Sequence, residues 1–179
     1  MSGLGRAGRW FHRLAFVLIA LVLVLLRLLP LGGEAGEWPG PDLLLCVTLA
    51  WTLRRPDAMR VWLIAGVFLI EDLLLMRPPG LWTAVVVVGT EFLRSRMRFA
   101  RESNFLSEWL GVALLVLGMT LAYRFVFTLA FLPQVGLGYA MIGTGATILC
   151  YPAVVLATAW AFGLHKPATG EIDAYGRRM

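Results

Sequence analysis

Six apolar stretches alternate with short polar clusters along the 179-residue chain. The stretches are Phe11–Leu29, Leu43–Leu53, Val61–Met76, Gly80–Leu93, Phe105–Leu132 and Val135–Leu164. A straight span of the hydrocarbon layer takes about 20 apolar residues, which the first stretch and the last two supply. The middle three are shorter, so either flanking residues extend them or they lie inside the bundle, where surrounding protein tolerates irregular ends. The pattern predicts an all-α polytopic membrane protein built as a six-transmembrane-helix bundle.

Composition agrees with this prediction. Apolar residues make up 59% of the chain and mean hydropathy is +0.77, whereas soluble domains have roughly 45–50% apolar residues. The polar residues gather between the apolar stretches, so the excess of apolar residues does not reflect one buried core. We expect a single transmembrane domain over residues 1–165 and a short cytoplasmic tail over residues 166–179.

The basic residues predict the orientation, because Lys and Arg resist translocation. In a six-helix arrangement, 13 of the 16 basic residues fall on one side. They are Arg6, Arg9, Arg13, Arg54, Arg55, Arg60, Arg94, Arg96, Arg98, Arg101, Lys166, Arg177 and Arg178. This predicts that both termini are cytoplasmic, whereas five helices would put the basic tail outside. The net charge of +5 then indicates contact between these arginine loops and anionic lipid, with no nucleic-acid partner, since no base-reading motif accompanies it.

The first stretch resembles a secretory signal in its basic front. Its apolar core is longer than the usual 7–15 residues of a signal, so we interpret it as a retained helix. Arg27 lies near its outer end, where an arginine side chain can snorkel to the interface.

Four ionisable residues fall within the predicted spans: Glu71, Asp72, Glu91 and Arg124. A charge at mid-bilayer costs about 2.5–3.5 kcal/mol on insertion scales, so it is expected to face the bundle and find a partner. Asp72 and Arg124 lie at similar depth in the outer half, which predicts an intramembrane ion pair that serves either packing alone or a substrate or partner site. Glu91 is at the inner interface and is expected to pair with Arg94 or with the Arg54–Arg55 loop.

Thr120, Arg124 and Thr128 recur every four residues and form one polar stripe on an apolar helix. Glu71 is about 100° around the helix from Asp72, so both acids cannot enter one pocket. Glu71 is left with three alternatives: a neutral carboxyl, a partner in Arg77, or a partner protein.

A tight outer turn is predicted after the third stretch. Arg77 can stay in the headgroup layer, Pro78 and Pro79 stop the helix, and Gly80 allows the chain to reverse.

The last stretch carries a small-residue ridge at Gly136, Ala140 and Thr144, which allows another helix to approach closely. Pro152 lies in the middle of this stretch and is expected to kink the helix or free a carbonyl.

The sequence offers few residues that could act together in catalysis. The two histidines, His12 and His165, flank the first and last helices, so neither a metal site nor a cofactor is expected. Cys46 and Cys150 form no CxxC pair and are expected to be buried free thiols. We therefore predict no catalytic residues and a protein that is not an enzyme.

The chain resembles the MreD family of rod-shape-determining membrane proteins of bacteria. The resemblance covers most of the chain and rests on modest motifs: a helix that opens with Pro41–Asp42–Leu43–Leu44, the run Trp51–Thr52–Leu53–Arg54–Arg55–Pro56, and Asp72 followed eight residues later by Gly80–Leu81. Where the family usually has glycine four residues before the acid, this chain has Phe68, and Gly66 lies two residues earlier.

The resemblance implies a non-enzymatic scaffold subunit of the cell-elongation complex. Such a protein binds MreC, works with RodA, a class B penicillin-binding transpeptidase and MreB, and helps guide side-wall peptidoglycan synthesis and cell shape. The family is also distantly similar in fold to the substrate-binding components of vitamin uptake transporters, and fold alone is a weak guide to function.

One rival function belongs to a different class. A solute-binding subunit of an uptake transporter would need an outer cavity lined by groups such as Asp72, Arg124, Thr120 and Trp82. Such a cavity would favour transport, whereas tight closure around the ion pair would favour the scaffold.

Overall fold

The computed structural model describes residues 6–29, 39–100 and 104–162. These residues form six helices and no strand: α1 Arg6–Leu28, α2 Leu43–Arg54, α3 Val61–Leu74, α4 Leu81–Ala100, α5 Phe105–Leu129 and α6 Leu137–Phe162. The all-α prediction is confirmed, and each predicted apolar stretch corresponds to one helix. The tail predicted over residues 166–179 lies outside the described residues.

Three of the helices are long and apolar enough to cross a membrane. By length and composition these are Gly8–Leu28 in α1, Phe105–Leu129 in α5 and Leu137–Phe162 in α6. All three present large apolar side chains on their surfaces, as expected of helices that face lipid. The described part of the chain therefore has the character of a membrane protein.

The short middle stretches behave in different ways. α2 has 12 residues, and the 11 from Leu44 to Arg54 are all buried, so this helix lies inside the bundle. α4 instead continues beyond its apolar stretch through Arg94 to Ala100 and reaches 20 residues. α2 and α4 therefore use one alternative each, whereas α3, with 14 residues, is neither extended nor mostly buried.

The core is organised around α2. This helix packs on α1, α4 and α6, while α3 packs on α1 and α4, and α5 packs on α4 and α6. Trp51 of α2 is completely buried between the rings of Phe16 from α1 and Phe162 from α6, with centroid distances of 6.1 and 5.1 Å. Cys46 is a buried free thiol on α2, and Cys150 of α6 is free and half-buried.

The turn between α3 and α4 begins earlier than the prolines predict. Arg77 N–H donates to the Asp72 carbonyl at 3.0 Å and Met76 N–H to the Leu73 carbonyl at 3.3 Å, a Schellman cap that ends α3 before Pro78. Met76 takes the left-handed conformation of this cap, with φ of 51°. Gly80 has φ of 86°, which confirms its predicted role in the reversal of the chain.

Candidate functional site

Glu71 is completely buried, and its partner is Arg27. One guanidinium nitrogen of Arg27 lies 2.6 Å from Glu71 Oε1 and 3.5 Å from Asp42 Oδ2. Asp42 also caps α2, since its side chain accepts the Leu45 N–H at 3.0 Å. Arg27 is a partner that none of the three alternatives for Glu71 named. The Arg27 side chain is 34% exposed, and its reach to the interface stays a prediction. A buried carboxylate needs a counterion, and the ends of α1 and α3 are level with each other.

Asp72 is also completely buried, but its role differs from the predicted one. Its Oδ2 accepts hydrogen bonds from Gly80 N–H at 3.1 Å, Thr83 N–H at 3.1 Å and the Thr83 hydroxyl at 2.9 Å. The carboxylate of α3 thus holds the turn and the first turn of α4, whose N–H groups have no partner within that helix. The predicted ion pair between Asp72 and Arg124 is wrong, because no such contact within 4.0 Å is present between these two described residues.

Arg124 instead organises the connection between α5 and α6. Its Nη1 donates to the Val135 carbonyl at 3.0 Å, and its own carbonyl accepts from the Gln134 amide at 3.2 Å. The Thr120 hydroxyl lies 3.1 Å from that of Thr144 on α6. The polar stripe of α5 therefore faces α6 and its connecting loop. α5 packs on α4 and α6, which directs Arg124 away from α3.

A cavity of about 420 Å³ lies beside these groups, and we call it the arginine cavity. Arg27, Arg77 and Arg124 line it, together with one carboxylate, that of Asp42. Its apolar wall includes Trp82, whose ring is 5.3 Å from that of Tyr123. Of the four groups that a solute-binding cavity was expected to use, Thr120, Trp82 and Arg124 are present and Asp72 is not.

A second concave surface runs between α4 and α5 on the opposite side of α5. This α4–α5 groove has a volume of about 970 Å³, and its walls are almost entirely apolar. Five of its 18 lining residues are glycine or alanine: Ala84, Gly89, Gly111, Gly118 and Ala122. A Cβ placed on Gly111 or Gly118 would meet no atom within 4 Å, so these glycines leave room for another backbone to approach.

No protein-family model, curated protein or solved structure matches this chain.

A buried polar cluster joins α2, α5 and α6 at the other end of the bundle. Arg54 Nη2 and the Tyr151 hydroxyl each lie 3.0 Å from Glu108 Oε1, and all three residues are buried. The sequence placed Arg54 in the loop between the second and third helices, but it is the last residue of the buried helix α2. Glu108, an acid in the first turn of an apolar helix, was the available cue that the sequence reasoning missed.

Glu91 pairs with Arg94 at 2.8 Å, as predicted. Arg94 also donates to the Met59 carbonyl, and Arg13 donates to the neighbouring Ala58 carbonyl at 3.1 Å. These two arginines therefore hold the α2–α3 connection in place at Ala58 and Met59, which are completely buried, in addition to any role in orienting the chain. Arg101 and the basic residues of the tail lie outside the described residues.

The prediction of a small-residue ridge on α6 is only partly correct. Gly136 precedes the helix and faces open space, Ala140 is half-buried, and Thr144 is buried against Thr120. The close approach occurs instead at Gly143, where an added Cβ would lie 3.2 Å from Pro39 Cβ.

The next turn of α6 binds the start of α2. The Thr147 hydroxyl accepts the Asp42 N–H at 2.9 Å, and the Cys46 thiol lies 3.3 Å from the Thr147 carbonyl. Pro152 lies inside α6, as predicted. In the described ranges no group of three or more His, Cys, Asp or Glu side chains could hold a metal ion, and the absence of a cofactor stays a prediction.

Proposed function

We propose that the chain is an MreD-like scaffold of the bacterial inner membrane. In this proposal it crosses the membrane six times, keeps both termini in the cytoplasm, and binds the single transmembrane helix of an MreC-like protein. RodA, a class B penicillin-binding transpeptidase and MreB belong to the wider complex. The scaffold is non-enzymatic and helps guide side-wall peptidoglycan synthesis.

The observation that carries this proposal is the α4–α5 groove. Its α5 wall extends from Ser107 to Val126, a length of about 28 Å at 1.5 Å per residue, close to the roughly 30 Å hydrocarbon thickness. Helices associate in lipid through close backbone approach at small residues, and the groove offers Gly118 and Ala122 one helical turn apart. These dimensions suit one apolar transmembrane helix.

The motif residues behind the resemblance also support the proposal, because they have defined structural tasks. Asp42 caps α2. Asp72 reaches Gly80 across the turn at 3.1 Å, which gives a physical reason for the eight-residue spacing between the acid and the Gly80–Leu81 pair. Phe68, where the family usually has glycine, is completely buried in the core, and this departure from the family pattern adds no support.

Co-purification with a full-length MreC-like protein in mild detergent tests the proposal. An added Cβ at Gly111 or Gly118 meets no atom of the chain within 4 Å. Gly111→Leu and Gly118→Leu, which place larger side chains at the groove, are therefore each expected to lower recovery of the partner at least about tenfold, equivalent to about 1.4 kcal/mol. Gly145→Leu on α6 is the matched control, since its Cβ also meets open space, and it should leave recovery unchanged. Failure of the unmodified chain to recover any MreC-like protein would refute the scaffold proposal.

The arginine cavity favours a second candidate function, a solute-binding subunit of an uptake transporter. Its volume of about 420 Å³ falls within the range of about 300–1,000 Å³ typical of small-molecule sites. Genes for MreB-like and MreC-like proteins beside this one would favour the scaffold, and genes for transport ATPases would favour the transporter. Co-purification of an ATPase in place of an MreC-like protein would decide for transport.

A further inference from the structure

We infer that the arginine cavity binds a phosphate-bearing amphiphile. The inference goes beyond the scaffold proposal, because the cavity and the α4–α5 groove share no lining residue and lie on different sides of α5.

The positive-inside pattern accounts for the positions of the other basic residues but not for the three arginines of the cavity. Of the 16 basic residues, 13 fall on the predicted cytoplasmic side, and the remaining three are Arg27, Arg77 and Arg124. They come from the end of α1, the α3–α4 turn and the last third of α5. Separate parts of the chain thus bring three expensive charges to the wall of one cavity.

These charges are only partly neutralised. Arg27 is held by Glu71 and Asp42, whereas Arg77 and Arg124 have no carboxylate within 4.0 Å in the part of the chain that the structure describes. Arg124 uses Nη1 for the Val135 carbonyl, and a guanidinium has five N–H donors in all. Donors are therefore available for an anion with several acceptor oxygens, which a phosphate provides and which arginine binds well.

The remaining wall suits an apolar body attached to that anion. Most of the cavity surface is carbon, from residues that include Val116, Phe127 and Trp82. A ligand that carries both an anionic group and an apolar part would suit the arginines and this wall together.

The position of the cavity fits such a ligand. It lies at the end of the bundle where α1 and α5 end and α2 begins, which is the level of the lipid headgroups if these helices span the membrane. Both an outer-leaflet phospholipid and a free phosphate ester carry the required group, and competition experiments distinguish these two sources.

The test uses the full chain in a neutral detergent. Short-chain phosphatidylglycerol is added, and bound lipid and Tm are measured by native mass spectrometry and thermal unfolding. We expect one lipid to be retained and Tm to rise. Inorganic phosphate and glycerol phosphate are then added as competitors: failure to displace the lipid identifies a headgroup site, and displacement identifies a site for a free phosphate ester.

Matched variants test the location. Arg77→Gln and Arg124→Gln should each weaken binding about tenfold, whereas Arg60→Gln, an identical change at an exposed arginine outside the cavity, should leave it unchanged. Arg124→Lys keeps the charge and should retain most of the binding, which separates loss of a ligand contact from misfolding. Absence of binding to the unmodified chain, or equal binding by the Arg77→Gln/Arg124→Gln double variant, would overturn the inference.

Discussion

A guanidinium nitrogen of Arg27 at the end of α1 lies 2.6 Å from the completely buried carboxylate of Glu71 in α3. The same nitrogen lies 3.5 Å from Asp42, the residue that caps α2. One arginine thus connects three helices at the end of the bundle where the arginine cavity is located. Because its side chain is only 34% exposed, the contact is shielded from water on most sides.

The Arg27–Glu71 pair should contribute strongly to stability. Arg27→Met leaves the Glu71 carboxylate buried without a counterion, so we expect a loss of about 3 kcal/mol in unfolding from detergent. The double variant Arg27→Met/Glu71→Leu removes both charges and should recover most of that loss. Losses that simply add in the double variant would contradict direct pairing.

Replacing Glu108 should lower stability far more than replacing Glu91, although each forms an ion pair with an arginine. Glu108→Ala leaves the buried guanidinium of Arg54 without its carboxylate partner, and we expect the free energy of unfolding to fall by about 3–5 kcal/mol. Glu91→Ala removes a half-exposed pair with Arg94, so the expected loss is about 0.5 kcal/mol or less. Thermal unfolding of the two variants side by side measures the difference, and equal losses would count against the buried cluster.

Substitutions at Asp72 and Arg124 should lower stability independently of each other. Asp72→Ala removes the acceptor of two backbone N–H groups and one hydroxyl, which should cost about 2 kcal/mol, and Asp72→Asn, which keeps one acceptor oxygen, should cost less. In the double variant Asp72→Ala/Arg124→Gln the losses should add within about 0.5 kcal/mol. A coupling energy well above that value would support the ion pair that the sequence predicted.

Gly80 should not tolerate a side chain. Its φ of 86° is unfavourable for any residue with a Cβ, so Gly80→Ala should lower stability by about 1 kcal/mol. Gly66→Ala is the control: this glycine lies in the interior of α3 and its added Cβ meets no atom, so stability should be unchanged or higher. A neutral effect at Gly80 would mean that the turn can adopt another conformation.

The sequence by itself determined the helices and the local contacts. Each apolar stretch became one helix because apolar runs and polar breaks act within a few turns of chain. The Glu91–Arg94 pair and the Gly80 reversal were predictable for the same reason, since their partners lie within one turn or depend on the backbone of one residue. The lengths of the middle helices were not decided at this level, because burial of α2 and extension of α4 both fit the pattern.

Only the tertiary structure decided which polar groups meet. Depth along the membrane allowed Arg124 to pair with Asp72, but α5 packs on α4 and α6, and Asp72 is satisfied by Gly80 and Thr83, eight and eleven residues away. Arg27 was free to turn outward until α3 placed Glu71 beside it. Periodicity shows which residues share a face of one helix, whereas the order and rotation of the helices in the bundle decide what that face contacts.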